Sequence, residues 1–195
     1  MLSLWVGLGL GLLAGGRHQL GPAWLVFGVT AILGAEMLSR GVTSIREAAL
    51  TDPLTGLLNR TGLWDQCEHA ISICGRLNQP LTLVHIDLDG FKEVNDREGH
   101  AEGDRILQLC AERWVGVIRA GDTLARIGGD EFLLVLPGSS PTGAKKLMEK
   151  LRVVSPIEWC FGVAELKSNE EIQSCMDRAD IELYASKRLR TVDGP

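Results

Sequence analysis

The feature that most constrains the fold is a pair of acidic clusters, each placed directly beside a short apolar run. Residues 81–86 have the length and composition of a buried strand, and Asp87 and Asp89 follow at once. Two further predicted strands, 123–127 and 132–136, flank a Gly-Gly-Asp-Glu turn at 128–131. Glycine in such a turn permits the positive φ that tight hairpins need. The sequence therefore predicts a sheet with carboxylates at one strand end and at one hairpin tip.

Helices are predicted on either side of these strands. Apolar residues recur at helical spacing over 62–77 and from 103 to 118, and further helices are predicted over 142–153 and 169–190. A last strand is predicted over 157–164. This order can bring Asp87 beside Asp130 of the hairpin. Converging carboxylates indicate Mg²⁺, a hard cation that prefers oxygen ligands and substrate phosphates.

Length, charge and cysteine content exclude several classes of protein. The 195 residues are enough for one domain of ordinary size and a short appendage. A formal net charge of -5 argues against general nucleic-acid binding, since an acidic surface repels a phosphate backbone. The five cysteines form no C-x-x-C pair and are interpreted as reduced core residues of a cytosolic domain. They are Cys67, Cys74, Cys110, Cys160 and Cys175.

The chain before Arg40 differs from the rest, because its only formally charged side chains are Arg17 and Glu36. We interpret residues 1–39 as a membrane anchor of two transmembrane helices, 40–50 as a helical connector and 51–192 as the soluble domain. The second apolar stretch approaches the roughly 20 residues that a span requires. The first stretch is shorter, and a signal peptide is its competing interpretation, although it lacks a basic start. Arg40 and Arg46 favour a cytosolic exit.

Four motifs occur in an order and spacing that together resemble one family. They are Asp52-Pro-Leu-Thr-Gly-Leu-Leu-Asn-Arg60, Asp87-Leu-Asp-Gly-Phe-Lys-Glu-Val-Asn-Asp96 with Gly99-His100 and Gly103-Asp104 after it, Arg126-Ile-Gly-Gly-Asp-Glu-Phe132, and Ala179-Asp-Ile-Glu-Leu-Tyr-Ala-Ser-Lys187. They resemble the GGDEF-domain diguanylate cyclases over about residues 50–192. The resemblance implies an α+β fold with a palm-like central antiparallel sheet flanked by helices, here preceded by the predicted transmembrane hairpin.

The resemblance also implies a metal-dependent reaction in which two GTP molecules give cyclic di-GMP and two pyrophosphates. Asp87, Asp130 and the backbone carbonyl of Leu88 would hold Mg²⁺ or Mn²⁺. Asp130, Glu131 and Lys92 would be the catalytic residues, with Lys92 meeting the phosphates. Phosphoryl transfer of this kind depends on positioning and on neutralising the triphosphate rather than on covalent catalysis.

Further motif positions are assigned to substrate binding by the same resemblance. Asn95 and Asp104 would bind the guanine edge and so select GTP over ATP. His100 would line the nucleotide pocket, and Lys187 would bind phosphate as a point charge. Asp89 is interpreted instead as a cap of the turn that follows it.

Two further sequence features bear on regulation and on activity. Arg119 and Asp122 match the R-x-x-D element with which many family members bind cyclic di-GMP as an inhibitor. Where the family usually has Gly-Arg-Asn after the lysine, this chain continues from Lys187 with Arg188, leucine and Arg190. One of these two arginines is expected to take the phosphate-binding role.

The leading hypothesis is therefore a diguanylate cyclase of the bacterial inner membrane, with its catalytic domain in the cytosol. Each site would hold one GTP, so catalysis would require a homodimer, with cyclic di-GMP as product and feedback inhibitor. The alternative is a catalytically weak GGDEF module that binds GTP or cyclic di-GMP and signals through a partner. A nucleotide cyclase or polymerase-like enzyme with another product is a third possibility.

Overall fold

The computed structural model describes residues 28–37 and 49–192. The chain divides into two compact units, Met1–Ile45 and Arg46–Pro195. Residues 28–37 of the first unit form an exposed helix whose surface includes Ile32 and Met37. Within the described ranges, no helix combines the length and apolar character needed to cross a membrane. The rest of the predicted hairpin and most of the predicted connector lie outside the described residues.

The second unit contains five helices and four strands within 60–192. In chain order they are α1 (Arg60–Leu77), β1 (Leu81–Leu88), α2 (Phe91–Glu98), α3 (His100–Val115), β2 (Thr123–Arg126), β3 (Glu131–Pro137), α4 (Pro141–Val154), β4 (Trp159–Glu165) and α5 (Ile172–Val192). The sequence predicted every one of these except α2. Only Phe91 is buried in α2, so the helix has no apolar periodicity by which it could be recognised.

The four strands form one antiparallel sheet in the order β2-β3-β1-β4. The predicted central antiparallel sheet flanked by helices is thereby confirmed. β1 is an inner strand, and its Asp87 lies opposite Glu131 on β3 and opposite Cys160 on β4. The carboxyl end of β1 is therefore enclosed by two neighbouring strands.

Each face of the sheet packs against its own helices. On one face, Val84 and Ile86 of β1 join a core that includes residues of α3 and α4. On the other face, Leu81 and Leu83 pack with residues of α1 and α5. Since successive side chains of a strand alternate between faces, Asp87 shares the α1 and α5 face. This alternation directs its carboxylate towards α5.

An aromatic cluster supports the sheet on the face opposite Asp87. The ring centroid of Trp114 lies 5.1 Å from that of Phe132 and 5.6 Å from that of Trp159, with edge-to-face geometry in both pairs. Such pairs contribute roughly 0.5–1.5 kcal/mol each beyond the burial of their area. The cluster joins α3 to the first residues of β3 and β4, next to the strand end that carries Asp87.

α5 lies directly against β4 because Gly162 has no side chain. A Cβ at this position would be 2.0 Å from the carbonyl oxygen of Ala179 and 2.3 Å from the amide nitrogen of Leu183. Ser186 Oγ also donates to the carbonyl of Phe161 at 3.0 Å. These contacts set the position of α5 along β4, and they therefore set where the last turns of α5 lie relative to the sheet.

All five cysteines are free and buried, as the sequence predicted. Burial raises the pKa of the Cys110 thiol to about 12 and that of Cys67 to about 11. Burial likewise raises the pKa of Cys175 to about 11. These thiols are therefore protonated at neutral pH and act as small apolar core groups.

Candidate functional site

A cavity of about 430 Å³ lies at the carboxyl end of β1. Its walls come from the end of β1, from the start of β4 and from the last turns of α5. The polar side chains that line it are Asp87, Asp89, Glu158, Cys160, Lys187 and Arg190. Carboxylates and cations thus share one cavity.

Asp87 and Lys187 form an ion pair inside this cavity. Lys187 Nζ lies 2.6 Å from Asp87 Oδ1. The Lys187 side chain is 37% exposed and the Asp87 side chain is 14% exposed. Burial raises the pKa of Asp87, and the charges of Asp130 and Glu131 add to this effect against the opposing effect of Lys187. Burial alone would lower the pKa of Lys187, but Asp87 and the nearby carboxylates outweigh it and leave that pKa raised.

The hairpin between β2 and β3 brings its own carboxylates to the same place. The amide of Leu88 donates to the carbonyl of Asp130 at 3.2 Å, and Glu131 lies opposite Asp87 in the sheet. Asp87 and the hairpin residue Asp130, which the sequence predicted to converge, therefore lie at neighbouring strand ends, with Glu131 next to them.

The explanation predicted for the hairpin glycines is wrong. Positive φ occurs at four glycines of the described residues, and Gly128 and Gly129 are not among them. A Cβ at Gly128 would lie 2.5 Å from Glu131 Oε2, which is the end of a flexible side chain and could move aside. The small residue lets the Glu131 carboxylate fold back over its own turn.

The site fits a divalent cation by donor chemistry. Among the described residues, no group of three or more His, Cys, Asp and Glu side chains is arranged to hold a metal ion. The predicted set needs fewer side chains, because it combines Asp87 and Asp130 with the carbonyl of Leu88. These are the oxygen donors that Mg²⁺ prefers, and Mg²⁺ usually takes only one or two carboxylates and completes its shell with water and phosphate. The ammonium of Lys187 shows that a cation already sits on Asp87.

Arg126 connects the hairpin to the start of the domain. Its guanidinium donates to the Gly129 carbonyl, with Nη2 at 2.7 Å, and to Asp52 Oδ1, with Nη1 at 3.0 Å. Burial alone would raise the pKa of Asp52, but hydrogen bonds from Thr55 and Arg126 outweigh it and leave that pKa lowered. The first and third motifs of the sequence thus meet in one ion pair.

The predicted guanine-binding residues lie where α2 meets α3. Asn95 of α2 packs against Gly103 so closely that a Cβ at Gly103 would lie 2.0 Å from Asn95 Oδ1. Asp104 follows Gly103 in the same turn of α3 and is exposed. The structure therefore brings Asn95 to the turn that carries Asp104, as an edge-binding pair requires.

Two other predicted site residues have exposed positions near helix starts. His100 is the first residue of α3, and Lys92 lies in the first turn of α2. Neither lines the cavity beside Asp87. Their roles towards the nucleotide stay predictions.

Asp89 does not cap the turn that follows it, which corrects the prediction. The N-cap of α2 is Gly90, with no side-chain capping bond. Asp89 instead pairs with Arg190 and accepts a hydrogen bond from Cys160 Sγ at 3.4 Å. A partner about one hundred residues away on α5 decides the orientation of this carboxylate.

Glu158 is a site residue that the sequence did not reveal. It binds Arg190 Nη2 at 2.5 Å and Arg152 Nη1 at 3.2 Å, and Arg190 in particular lowers the pKa of Glu158. Of the two arginines considered after Lys187, Arg190 lines the cavity, whereas Arg188 lies over the ring of Tyr184 at 6.0 Å. No spacing rule in the sequence links Glu158 to the C-terminal helix.

The predicted inhibitory pair is present as a local ion pair. Arg119 Nε lies 2.8 Å from Asp122 Oδ1, and Arg119 Nη2 also donates to the Pro137 carbonyl at 2.5 Å. The Arg119 side chain is 57% exposed while that of Asp122 is 4% exposed. A ligand in solution can therefore contact the guanidinium of Arg119 directly, whereas the carboxylate of Asp122 is buried beneath it.

Known proteins similar to this chain share the same domain. The sequence profile of the family described as "Diguanylate cyclase, GGDEF domain" matches residues 49–191. Diguanylate cyclase DgcP of Pseudomonas aeruginosa is 36% identical over 155 residues, which cover 73% of this chain and 23% of that protein. A diguanylate cyclase of Vibrio cholerae serotype O1 is 34% identical over 175 residues, covering 82% and 54%. The chain therefore spans less than two thirds of these relatives.

Solved structures show the same similarity in three dimensions. The coiled coil and GGDEF domain of DgcB from Caulobacter crescentus, in complex with c-di-GMP, superimposes with a TM-score of 0.78 at 29% identity. That match covers 85% of this chain and 95% of the other. The active GGEEF domain of a diguanylate cyclase from Vibrio cholerae gives a TM-score of 0.63 at 34% identity, covering 68% and 92%.

Proposed function

Because this chain belongs to the GGDEF diguanylate cyclase family, we propose that it condenses two GTP molecules into cyclic di-GMP and two pyrophosphates. The observation that supports this most strongly is that Asp87 lies beside the turn of Asp130 and Glu131 and lines a cavity together with Lys187 and Arg190. Asn95 and Asp104, which would bind guanine, lie on α2 and α3. Lys187 and Arg190, which would bind phosphate, lie on α5.

Different residues of the chain would bind the metal ions and the phosphate groups. Asp87, Asp130 and the Leu88 carbonyl would hold two divalent ions, Mg²⁺ or Mn²⁺. When bound, these ions would neutralise the triphosphate and polarise the 3′-hydroxyl that attacks the α-phosphorus of the second GTP. Lys187 and Arg190 would bind phosphate oxygens from α5. Each active site would hold one GTP, so we propose that two copies of the chain face one another as a homodimer.

GTP selection would come from the α2 and α3 junction. The Asp104 carboxylate can accept from the N1-H and the 2-amino group of guanine, and Asn95 can serve both a donor and an acceptor on the same edge. Adenine offers neither of the two donors that Asp104 requires. Asn95 packs closely on Gly103, the residue before Asp104, which supports a shared role for the two side chains.

The decisive experiment incubates the full chain with GTP and Mg²⁺ and measures cyclic di-GMP and pyrophosphate by chromatography. The parent and an Asp177→Asn variant should form both products, because Asp177 is exposed on α5 and its bond within the described residues is to Gln173, away from the cavity. Asp130→Asn should reduce the rate by about a thousandfold or more, since it removes a metal ligand. A folded, dimeric parent that forms no product from GTP contradicts the proposal.

The Arg119 and Asp122 pair favours a second activity at a separate position. Cyclic di-GMP would bind here as an inhibitor, with guanine or phosphate taking the exposed guanidinium of Arg119. Isothermal titration of cyclic di-GMP should give weaker binding to Arg119→Ala than to the parent. If the parent forms no product yet binds cyclic di-GMP through Arg119, the catalytically weak binding module becomes the better description.

We also propose that the N-terminal unit attaches the domain to a membrane, with the domain in the cytosol. The support is the apolar sequence before Arg40 and the exposed apolar side chains of the helix at 28–37. Fractionation of cells that produce the full chain should place it with the membranes, whereas a variant lacking residues 1–45 should be found in the soluble fraction.

A further inference from the structure

The ammonium of Lys187 contacts the carboxylate oxygen of Asp87 that the proposed function assigns to the metal. Lys187 Nζ lies 2.6 Å from Asp87 Oδ1. β3 and β4 pair with β1 on both sides of Asp87, so the 14% of the side chain that is exposed faces the cavity. A divalent ion that approaches Asp87 from the cavity therefore meets Lys187 there.

Lys187 is able to leave Asp87 without any movement of α5. The helix is fixed before this residue by the contact of Gly162 with Ala179 and by the bond from Ser186 to Phe161. The lysine side chain is a point charge on a flexible stem of four carbons, so its ammonium can move within the cavity. Arg190, one turn later, is already engaged by Asp89 and Glu158.

We propose that Lys187 is a positioning residue that couples metal binding to triphosphate binding. Without a triphosphate, its ammonium competes with the divalent ion for Asp87. A triphosphate attracts the same ammonium and so releases Asp87 to the ion. Metal and triphosphate therefore bind more tightly together than either does alone, and by linkage each strengthens the other by the same factor. This inference rests on the metal site of the proposed function.

The competition can be measured without any turnover. Mn²⁺ alone is titrated into the full chain, and free Mn²⁺ is followed by electron paramagnetic resonance. Lys187→Met should bind Mn²⁺ about three- to tenfold more tightly than the parent, as expected for removal of a half-exposed competing cation. Addition of a GTP analogue with a non-hydrolysable α,β bridge should tighten Mn²⁺ binding strongly in the parent and by a smaller factor in Lys187→Met.

A matched variant separates competition from a general effect of charge. Arg188→Met removes an exposed cation of the same helix that does not line the cavity. It should leave the affinity for Mn²⁺ alone within about twofold of the parent. Circular dichroism and thermal unfolding of each variant confirm that it is folded.

The outcomes distinguish this inference from the function on which it rests. If the parent binds Mn²⁺ but Lys187→Met binds it no more tightly, or Arg188→Met tightens binding equally, the coupling role is wrong and the metal site stands. If a folded parent binds no Mn²⁺ with or without the analogue, both the coupling role and the metal site are wrong.

Discussion

The part of α5 up to Leu183 and the part after it, here called its first and second halves, differ in how they are held. In the first half, Cys175, Met176, Ala179 and Leu183 are buried, and the first three pack with residues of the sheet and of α1. Arg178 and Asp180 add ion pairs to this packing. In the second half, Lys187 and Arg190 are partly exposed and are held by carboxylates. Packing therefore sets the position of the helix, while its last turns carry charges that can exchange one partner for another. Substitutions in the first half should change stability, and substitutions in the second half should change ligand binding.

Leu183→Ala should give the largest loss of stability. The side chain is 3% exposed, so truncation loses its burial and leaves a cavity, at a cost of about 2–5 kcal/mol in the free energy of unfolding. Urea unfolding measures this loss. The control is Leu189→Ala, the same substitution at a side chain that is 69% exposed, which should cost less than about 0.5 kcal/mol. Equal losses at the two leucines would remove the distinction between the two halves.

Gly162→Ala should cost somewhat less, about 1–3 kcal/mol, because α5 must move away from β4 to admit the Cβ. Thermal unfolding is the measurement. Gly75→Ala is the control, since a Cβ at Gly75 in α1 meets nothing within 4 Å and alanine is the better helix former. That variant should be as stable as the parent or more stable. A neutral Gly162→Ala would show that contact with β4 does not fix α5.

Arg190→Gln should scarcely change stability, because the arginine is 46% exposed and such ion pairs contribute less than about 1 kcal/mol. It should raise the KM for GTP roughly tenfold, as expected for loss of one phosphate contact. Steady-state kinetics and urea unfolding, run on the same preparation, test both parts. Arg188→Gln should alter neither quantity. A large loss of stability with an unchanged KM would assign Arg190 to structure alone.

Glu170→Gln should give the smallest effect, a small loss of stability at neutral pH that disappears in acid. Hydrogen bonds from Arg178 and from the Lys167 amide lower the pKa of Glu170 to about 2, below its ordinary value of 4.5. The resulting stabilisation is complete above pH 4.5 and is lost as the pH falls through about 2. The parent should therefore lose more stability than Glu170→Gln between pH 5 and pH 2. Glu171→Gln, which leaves the Arg178 pair intact, should follow the parent in a pH series of thermal melts.

The sequence predicted most elements of this fold because their periodicity is local. β1 and α3 carry regular apolar patterns, whereas α2 buries only Phe91 and was missed. Asp89 was misassigned as a cap for a different reason, since its partner Arg190 is 101 positions away along the chain. Nothing in a local pattern could indicate that pair.

The residues of the candidate site also differ in whether the local sequence could predict their positions. Asp87 and Asp130 could be expected to meet, because motifs and strand order place them at adjacent strand ends. The ion pair of Lys187 with Asp87, and the role of Glu158, depend on how far α5 extends over the sheet. That distance is set by the contact at Gly162, which is a matter of tertiary packing.

The ion pair of Arg126 with Asp52 has a mechanical consequence. The side chains of these two residues are 13% and 18% exposed, so the pair is largely shielded from solvent. The same guanidinium holds the Gly129 carbonyl, one residue before Asp130. Arg126 therefore connects the first residues of the domain to the tip of the β2–β3 hairpin. A displacement of the chain at Asp52 would therefore reach, through Arg126, the turn that carries Asp130, the proposed metal ligand.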